Sequence, residues 1–321
     1  MEKLRIGVIG TGNMGRNHVR NLSAEERFEL VGIYDKNLEQ AEKVAKIFGT
    51  TAFRTPEELL DQVQAVVVAV PSSLHKKLAL TVAEHGVHAL IEKPLATTSQ
   101  DAREIVAAFE EKGLKLQVGH IERFNPVIQE LGKMINNEQV FFIEVHRYSP
   151  FSGSGRITDT SVIEDLMIHD IDLVCHLMAP YEITKVRGLG ERVKSDNIDF
   201  ASCTLNFSGR AHAVINASRV AQEKERTMTI HTVDSNICAD LLYRSIVVSK
   251  NTDLVLDGPH EQSYRQNGLV QKVFVPIHEP LRAELISFYD AVVNNELIAV
   301  SGETGVKAIE ICEEVVRQAN L

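Results

Sequence analysis

The chain has 321 residues, 44% apolar and 24% charged, a balance that suits a folded globular protein of about two domains and excludes a disordered or fibrous one. Its formal net charge of −10 argues against nucleic acid or an anionic membrane as a partner, while leaving room for a small phosphorylated ligand held by a local basic site. Cys175, Cys203, Cys238 and Cys312 share no C-x-x-C spacing, and the longest apolar run, Ala65 to Val70, is too short to span a bilayer, so zinc knuckles, disulfide frameworks and membrane spans are not expected.

Strand-like sequence begins at once with Leu4 to Ile9, which leaves no room for a signal peptide and makes a cytoplasmic protein the expectation. Asn13 to Ser23 reads as a helix and Phe28 to Tyr34 as a second strand. Leu38, Ala41, Val44, Ala45 and Phe48 mark the next helix by their spacing. Ala65 to Val70, apolar throughout, suits a strand covered on both faces, and Leu74 to Glu84 follows as a helix. His88 to Ile91, a helix from Ser99 to Lys112 and a strand at Lys115 to Val118 complete an alternation that implies a doubly wound parallel sheet over residues 1–120.

The pattern then changes. A helix from Pro126, a strand from Val140 to Arg147 and a Gly/Ser-rich loop from Ser149 to Thr160 lead to a helix over Ser161 to Met178. Between Glu182 and Pro276 six strands are expected, with the alternation of an antiparallel sheet: Lys185 to Gly190, Phe200 to Phe207, Ala211 to Ala217, Thr227 to Val233, Ile237 to Leu242 and Ser245 to Ser249. Helices at Pro280 to Asn294 and Glu303 to Asn320 close residues 121–321, read as the second domain. The fold class is thus α/β, a parallel sheet followed by an α+β domain with a mainly antiparallel sheet.

Gly10-Thr11-Gly12-Asn13-Met14-Gly15 stands between the first strand and the first helix, with Asp35 about twenty residues on at the end of the second strand. That is the arrangement that receives a dinucleotide pyrophosphate on unpaired N–H groups of a helix N-terminus, including those of Asn13 and Met14. Asp35 is placed for the adenosine ribose hydroxyls, and its charge favours NAD over NADP, although Lys36 beside it works the other way. Pro71 and His75 after the Ala65 to Val70 strand, with Glu92 and Lys93 after His88 to Ile91, are further cofactor-side candidates, because ligands gather beyond the carboxyl ends of such strands.

Lys93, held extended by Pro94, belongs where a nicotinamide and a substrate would meet. Asp165 and His169 stand four apart on a helix, about 6 Å along its axis, so a carboxylate can set the tautomer of an imidazole that accepts a proton. Hydride removal from a secondary alcohol requires such a base. Asp172 and His176 extend the stripe, but His176 is about 10 Å along the axis from His169, and no metal is expected.

Together the glycine turn, Glu92-Lys93-Pro94, the Asp165-x-x-x-His169-x-x-Asp172 segment and Glu284-Leu285-Ile286-Ser287-Phe288 resemble the Gfo/Idh/MocA family of nicotinamide-dependent sugar and polyol oxidoreductases. The resemblance implies Lys93 and His169 at the reacting hydroxyl with Asp165 assisting. It also implies a large open sheet in the second domain that commonly joins copies into a homodimer or homotetramer. Many members carry a glycine-rich lead into this helix and a glycine inside it. Here Thr160 to Glu164 and Leu166-Met167-Ile168 stand instead, and with Gly119 to Pro126 they are similar to the subgroup that oxidises C3 of UDP-N-acetylglucosamine. For such a substrate Arg123, Arg147 and Arg156 are candidate diphosphate ligands, Tyr148 a platform for uracil, and Asn125 a further contact. Oxidation of a free sugar or inositol is the alternative. A noncatalytic NAD(H)-binding regulator is the other, disfavoured because sensing a cofactor requires none of Lys93, Asp165 and His169.

Overall fold

The computed structural model describes residues 3–135, 139–151, 160–179, 181–257 and 263–319. The chain begins with β1 (Leu4–Ile9), α1 (Asn13–Ala24), β2 (Phe28–Tyr34), α2 (Leu38–Phe48), β3 (Thr51–Ala52) and α3 (Pro56–Leu60). It continues with β4 (Ala65–Val68), α4 (His75–Glu84), β5 (His88–Glu92), α5 (Ser99–Glu111) and β6 (Leu116–Gly119). Next come α6 (Pro126–Ile135), β7 (Val140–Pro150), α7 (Ile168–Leu177), β8 (Ile183–Glu191), β9 (Phe200–Phe207) and β10 (His212–Ala221). Strands β11 (Glu225–Thr232), β12 (Asn236–Asp240), β13 (Ser245–Asp257) and β14 (Ser263–Val273) precede the closing helices α8 (Pro280–Val293) and α9 (Gly302–Ala319).

Two compact units result. The first joins Met1–Phe124 with Glu279–Glu310, and the second joins Asn125–His278 with Ile311–Leu321. The sequence division kept residues 121–321 together, whereas the chain returns to the first unit through α8 and part of α9. The cause is apolar: Leu285, Phe288 and Tyr289 of α8 share one buried cluster with Leu4, Ile6 and Val8 of β1, Val67 of β4 and Leu90 of β5. Tyr289 meets Phe28 edge to face, with centroids 5.7 Å apart.

In the first unit six strands lie in the order β3-β2-β1-β4-β5-β6, every neighbouring pair parallel. All four residues of β4 are buried, as its uninterrupted valines require of a strand with helices on both faces. Helix α2 is started by the Asn37 side chain, which accepts from the Gln40 amide, and is stopped by Gly49 at φ 68. Two elements escape sequence reading. Strand β3 has only two residues, and α3 has five behind a Thr55/Glu58 capping box.

The second unit carries eight strands in the order β14-β13-β12-β11-β7-β10-β9-β8. All pairs are antiparallel except β7 with β10. Strand β14 was not anticipated, because Ser263 to Lys272 is mostly polar and gives no apolar alternation. Among the described residues no helix is long and apolar enough to cross a membrane.

Because Phe288 is fully buried against the first sheet, Phe288→Ala should destabilise the first unit by about 3–5 kcal/mol. Chemical denaturation of the full chain will read this, and a loss below about 1 kcal/mol would place the helix outside that core.

Candidate active site

The glycine turn is built by close approaches. Gly10 has φ 95, and a Cβ there would lie 2.4 Å from the Ala69 carbonyl oxygen. A Cβ on Gly15 would lie 1.9 Å from the carbonyl oxygen of Gly10, so α1 can begin this close to β1 only with glycine at that position. At Gly12 the space a side chain would occupy is open, and the first turn of α1 contains no acidic residue. Asn13 and Met14 open the helix there. The arrangement fits a pyrophosphate, with the first amides of α1 beside the open space at Gly12. Asp35 completes it: Oδ2 accepts from the Thr11 amide (2.7 Å) and hydroxyl (3.0 Å), while Oδ1 accepts from the Asn37 amide (2.9 Å). The residue expected to meet the ribose therefore also pins the turn.

Lys93 follows β5 half-buried, and its peptide bond to Pro94 is cis. Pro71 is exposed after β4, and His75 behind it is buried between two carbonyls, with Nδ1 2.8 Å from the Pro94 oxygen and Nε2 2.9 Å from that of Val70. Burial holds the His75 pKa below the ordinary histidine value, against the opposing pull of both carbonyls and Glu92. The neutral ring thus donates to one carbonyl at a time and ties the turn after β4 to the turn after β5. Glu92 is buried with its Oε1 2.8 Å from His18 Nε2. Glu284 of α8 is fully buried nearby, and neither of its carboxyl oxygens has a hydrogen-bond partner among the described residues. Burial first, and the charge of Glu92 second, raise its pKa well above the usual carboxylate range. Sequence reading gave His18 no role and used Glu284 only as part of the closing-helix segment, since nothing local marks a residue that is brought to Glu92 by the fold.

In the second unit Asp165 lies in a π-helical turn, Ile163–Met167, whose Ile168 amide reaches back to the Ile163 carbonyl, and His169 opens α7 just beyond. The expected uniform α-helix is thus widened between Asp165 and the residues after it. Asp165 is exposed and His169 half-buried. Asp172 is buried while His176 is exposed, so the apparent stripe diverges. Among the described residues no three His, Cys, Asp or Glu side chains gather as metal ligands.

The substrate-side candidates separate. Arg147 is buried and forks onto both oxygens of Asp170, at 2.7 and 2.8 Å, so its guanidinium is committed inside the unit rather than offered to a diphosphate. Tyr148, the next residue on β7, takes the opposite sheet face by strand alternation, where its hydroxyl lies 2.8 Å from His146 Nδ1. Burial, then Glu225 and Glu144, raise its pKa. Asn125 is buried, accepting from the Val127 amide at the start of α6 and donating to the Leu241 carbonyl. Arg123, half-buried, donates to the Ala299 carbonyl at 3.5 Å. Arg156 lies outside the described residues.

An open glycine cradle at a helix N-terminus, a carboxylate at the end of the second strand and this parallel strand order define a dinucleotide-binding protein. Comparison with known proteins narrows the class. The family described as "Oxidoreductase family, NAD-binding Rossmann fold" matches residues 4–120, and the GFO/IDH/MocA C-terminal domain matches residues 139–236. The chain belongs to the Gfo/Idh/MocA family of NAD-dependent oxidoreductases. It is 35% identical over 246 residues, 77% of each chain, to UDP-N-acetylglucosamine 3-dehydrogenase of Acidithiobacillus ferrooxidans. The solved structure of that enzyme matches 99% of this chain and 98% of its own with a TM-score of 0.88 at 30% identity. Glucose-6-phosphate 3-dehydrogenase of Bacillus subtilis is 33% identical over 56% of this chain and 55% of its own. Inositol 2-dehydrogenase of an Arthrobacter species is 31% identical over 60% of each chain.

Removing Asp35 takes away a charged acceptor, so Asp35→Ala should weaken NAD binding about 10- to 100-fold, with a smaller loss for NADP, as titration of both nucleotides will show. An equal loss for both would detach Asp35 from the ribose. Glu284 gives a second expectation. An acid whose folded pKa is raised favours the folded state below its ordinary value of 4.5 and costs stability as pH rises from there toward the folded value. Glu284→Gln, which does not titrate, should therefore gain stability over the native chain as pH climbs above 4.5, whereas parallel melting curves across that range would contradict a raised pKa.

Proposed function

We propose that the protein oxidises the C3 hydroxyl of UDP-N-acetylglucosamine to a ketone. One observation carries the reading: 35% identity to an enzyme of that name across 77% of both chains. Bound NAD supplies the acceptor for the hydride that leaves the carbinol carbon. His169 takes the hydroxyl proton, and Asp165 supports the imidazolium so formed. Lys93 donates a hydrogen bond to the reacting oxygen and offsets the negative charge that develops on it as the proton departs. Arg123 and Arg156 remain as diphosphate ligands, and a homodimer or homotetramer formed through the open face of the eight-stranded sheet would cover the half-exposed side chains that alternate along β9.

A second reading, oxidation of a free sugar or inositol, is favoured by the commitment of Arg147 to Asp170, which removes one of three candidate phosphate ligands. Nicotinamide reduction measured with NAD and either UDP-N-acetylglucosamine or free N-acetylglucosamine, with hydroxylamine to trap the ketone, separates the two. Reduction with the nucleotide sugar alone supports the first reading, and reduction only with free sugars or inositols replaces it. With the competent substrate, Lys93→Ala and His169→Ala should each lower kcat by about 10²- to 10⁴-fold while NAD affinity is retained. Normal turnover in both variants would remove the assigned roles.

A further inference from the structure

The segment from Thr160 to Asp170 carries both Asp165 and His169, and a buried guanidinium anchors it at each end. At its start Arg219 of β10, 3% exposed, donates Nη1 to the Thr160 carbonyl (2.7 Å) and Nε to Asp199 Oδ1 (2.7 Å). Asp199 is itself buried, and its Oδ2 accepts from the backbone amides of Val193, Lys194 and Ser195. Burial alone would push its pKa up, but the Lys194 amide, Arg219 and Ser195 together hold it well below the usual carboxylate range. At the other end Arg147 of β7, 2% exposed, forks onto Asp170, the residue after His169. Strands β7 and β10 run parallel with Arg147 beside Ala217, and Arg219 follows two residues on, where the pairing shifts register between Ser218 and Ala221.

Between these anchors lies the π turn, a geometry uncommon in proteins and frequent at functional sites. Backbone contacts add to its confinement: the Val162 amide donates to the Ile198 carbonyl at 2.9 Å, and Ser161 and Glu164 bond reciprocally at the start of the turn.

We propose that Arg147 and Arg219 are positioning residues, two buried ion pairs that lock the π turn and thereby fix the imidazole of His169 and the carboxylate of Asp165. The proposal rests on the reading of His169 as proton acceptor. Arg147→Lys keeps the charge but loses the fork, and the double change Arg147→Met with Asp170→Leu removes the directional bonds without leaving a buried charge unpaired. With whichever sugar the native enzyme oxidises, kcat should fall about 10- to 100-fold in both, with KM within about threefold and NAD affinity retained, since a misplacement near 1 Å suffices for such a loss. A double variant with native kcat, or a change confined to KM, overturns the proposal. Amide hydrogen exchange on the native protein keeps it testable should the variants fail to fold: amides of residues 161–170 should be protected as strongly as those of β7 and β10, and fast exchange there overturns it as well. His169→Asn tests the underlying reading separately. Retained turnover in that variant would remove the histidine from the chemistry whatever the exchange data show.

Discussion

The approach of Gly15 to the carbonyl of Gly10 is the constraint from which the cofactor end of this molecule follows. Any side chain there would sit within bonding distance of that oxygen, so helix and strand could not meet at this angle. With the contact in place, the first amides of α1 point out of the sheet beyond β1, where an anionic group is favoured by both unpaired donors and the helix dipole. Asp35 then needs only to stand at the end of the adjacent strand to hold Thr11 and line the same mouth. His75 repeats the logic one strand further along, tying together the turns that follow β4 and β5. Lys93 thus emerges from a region whose backbone is braced on both sides.

Much of this was legible in the residues themselves, because each part is local. A glycine turn followed by an acid about twenty residues later, and a run of four valine-rich buried positions, announce their structure without help from distant chain. The π turn was not legible. Ser161 and Glu164 signal the start of a helix, and the spacing of Asp165 and His169 then reads as one α-helical face. The partners that hold the ends of that turn lie on β7 and β10, far away in sequence. Arg147 failed for a related reason. Its charge suggested a phosphate ligand, but a strand puts neighbouring side chains on opposite faces, and only the fold tells that Arg147 faces Asp170 while Tyr148 faces away. Asp170 stood in plain view beside His169 and gave no sign of its partner. The return of α8 to the first unit is invisible for the same cause, since its apolar stripe would suit any core.

Buried ionisable groups are handled in more than one way. In the first unit, burial raises the pKa of Glu284, whose carboxyl oxygens have no hydrogen-bond partner among the described residues, while Glu92 meets His18. In the second, Arg147 is paired with Asp170 and Arg219 with Asp199. Buried pairs of this kind add little net stability compared with apolar groups of the same shape, yet losing one partner costs about 3–5 kcal/mol. Such a balance suits geometry more than strength. It permits one arrangement of the chain and makes nearby alternatives expensive.

The order of the chain carries a consequence for biosynthesis. The first unit begins at the N-terminus and is completed only by Glu279–Glu310, after the whole of Asn125–His278 has been made. Since translation delivers the N-terminal part first, the nascent parallel sheet waits on the ribosome with the places of Leu285, Phe288 and Tyr289 unfilled. A premature stop shortly before Glu279 would leave every strand of both sheets translated and still deprive the cofactor unit of part of its core. The parallel-sheet unit therefore depends on residues translated only after the whole of the second sheet.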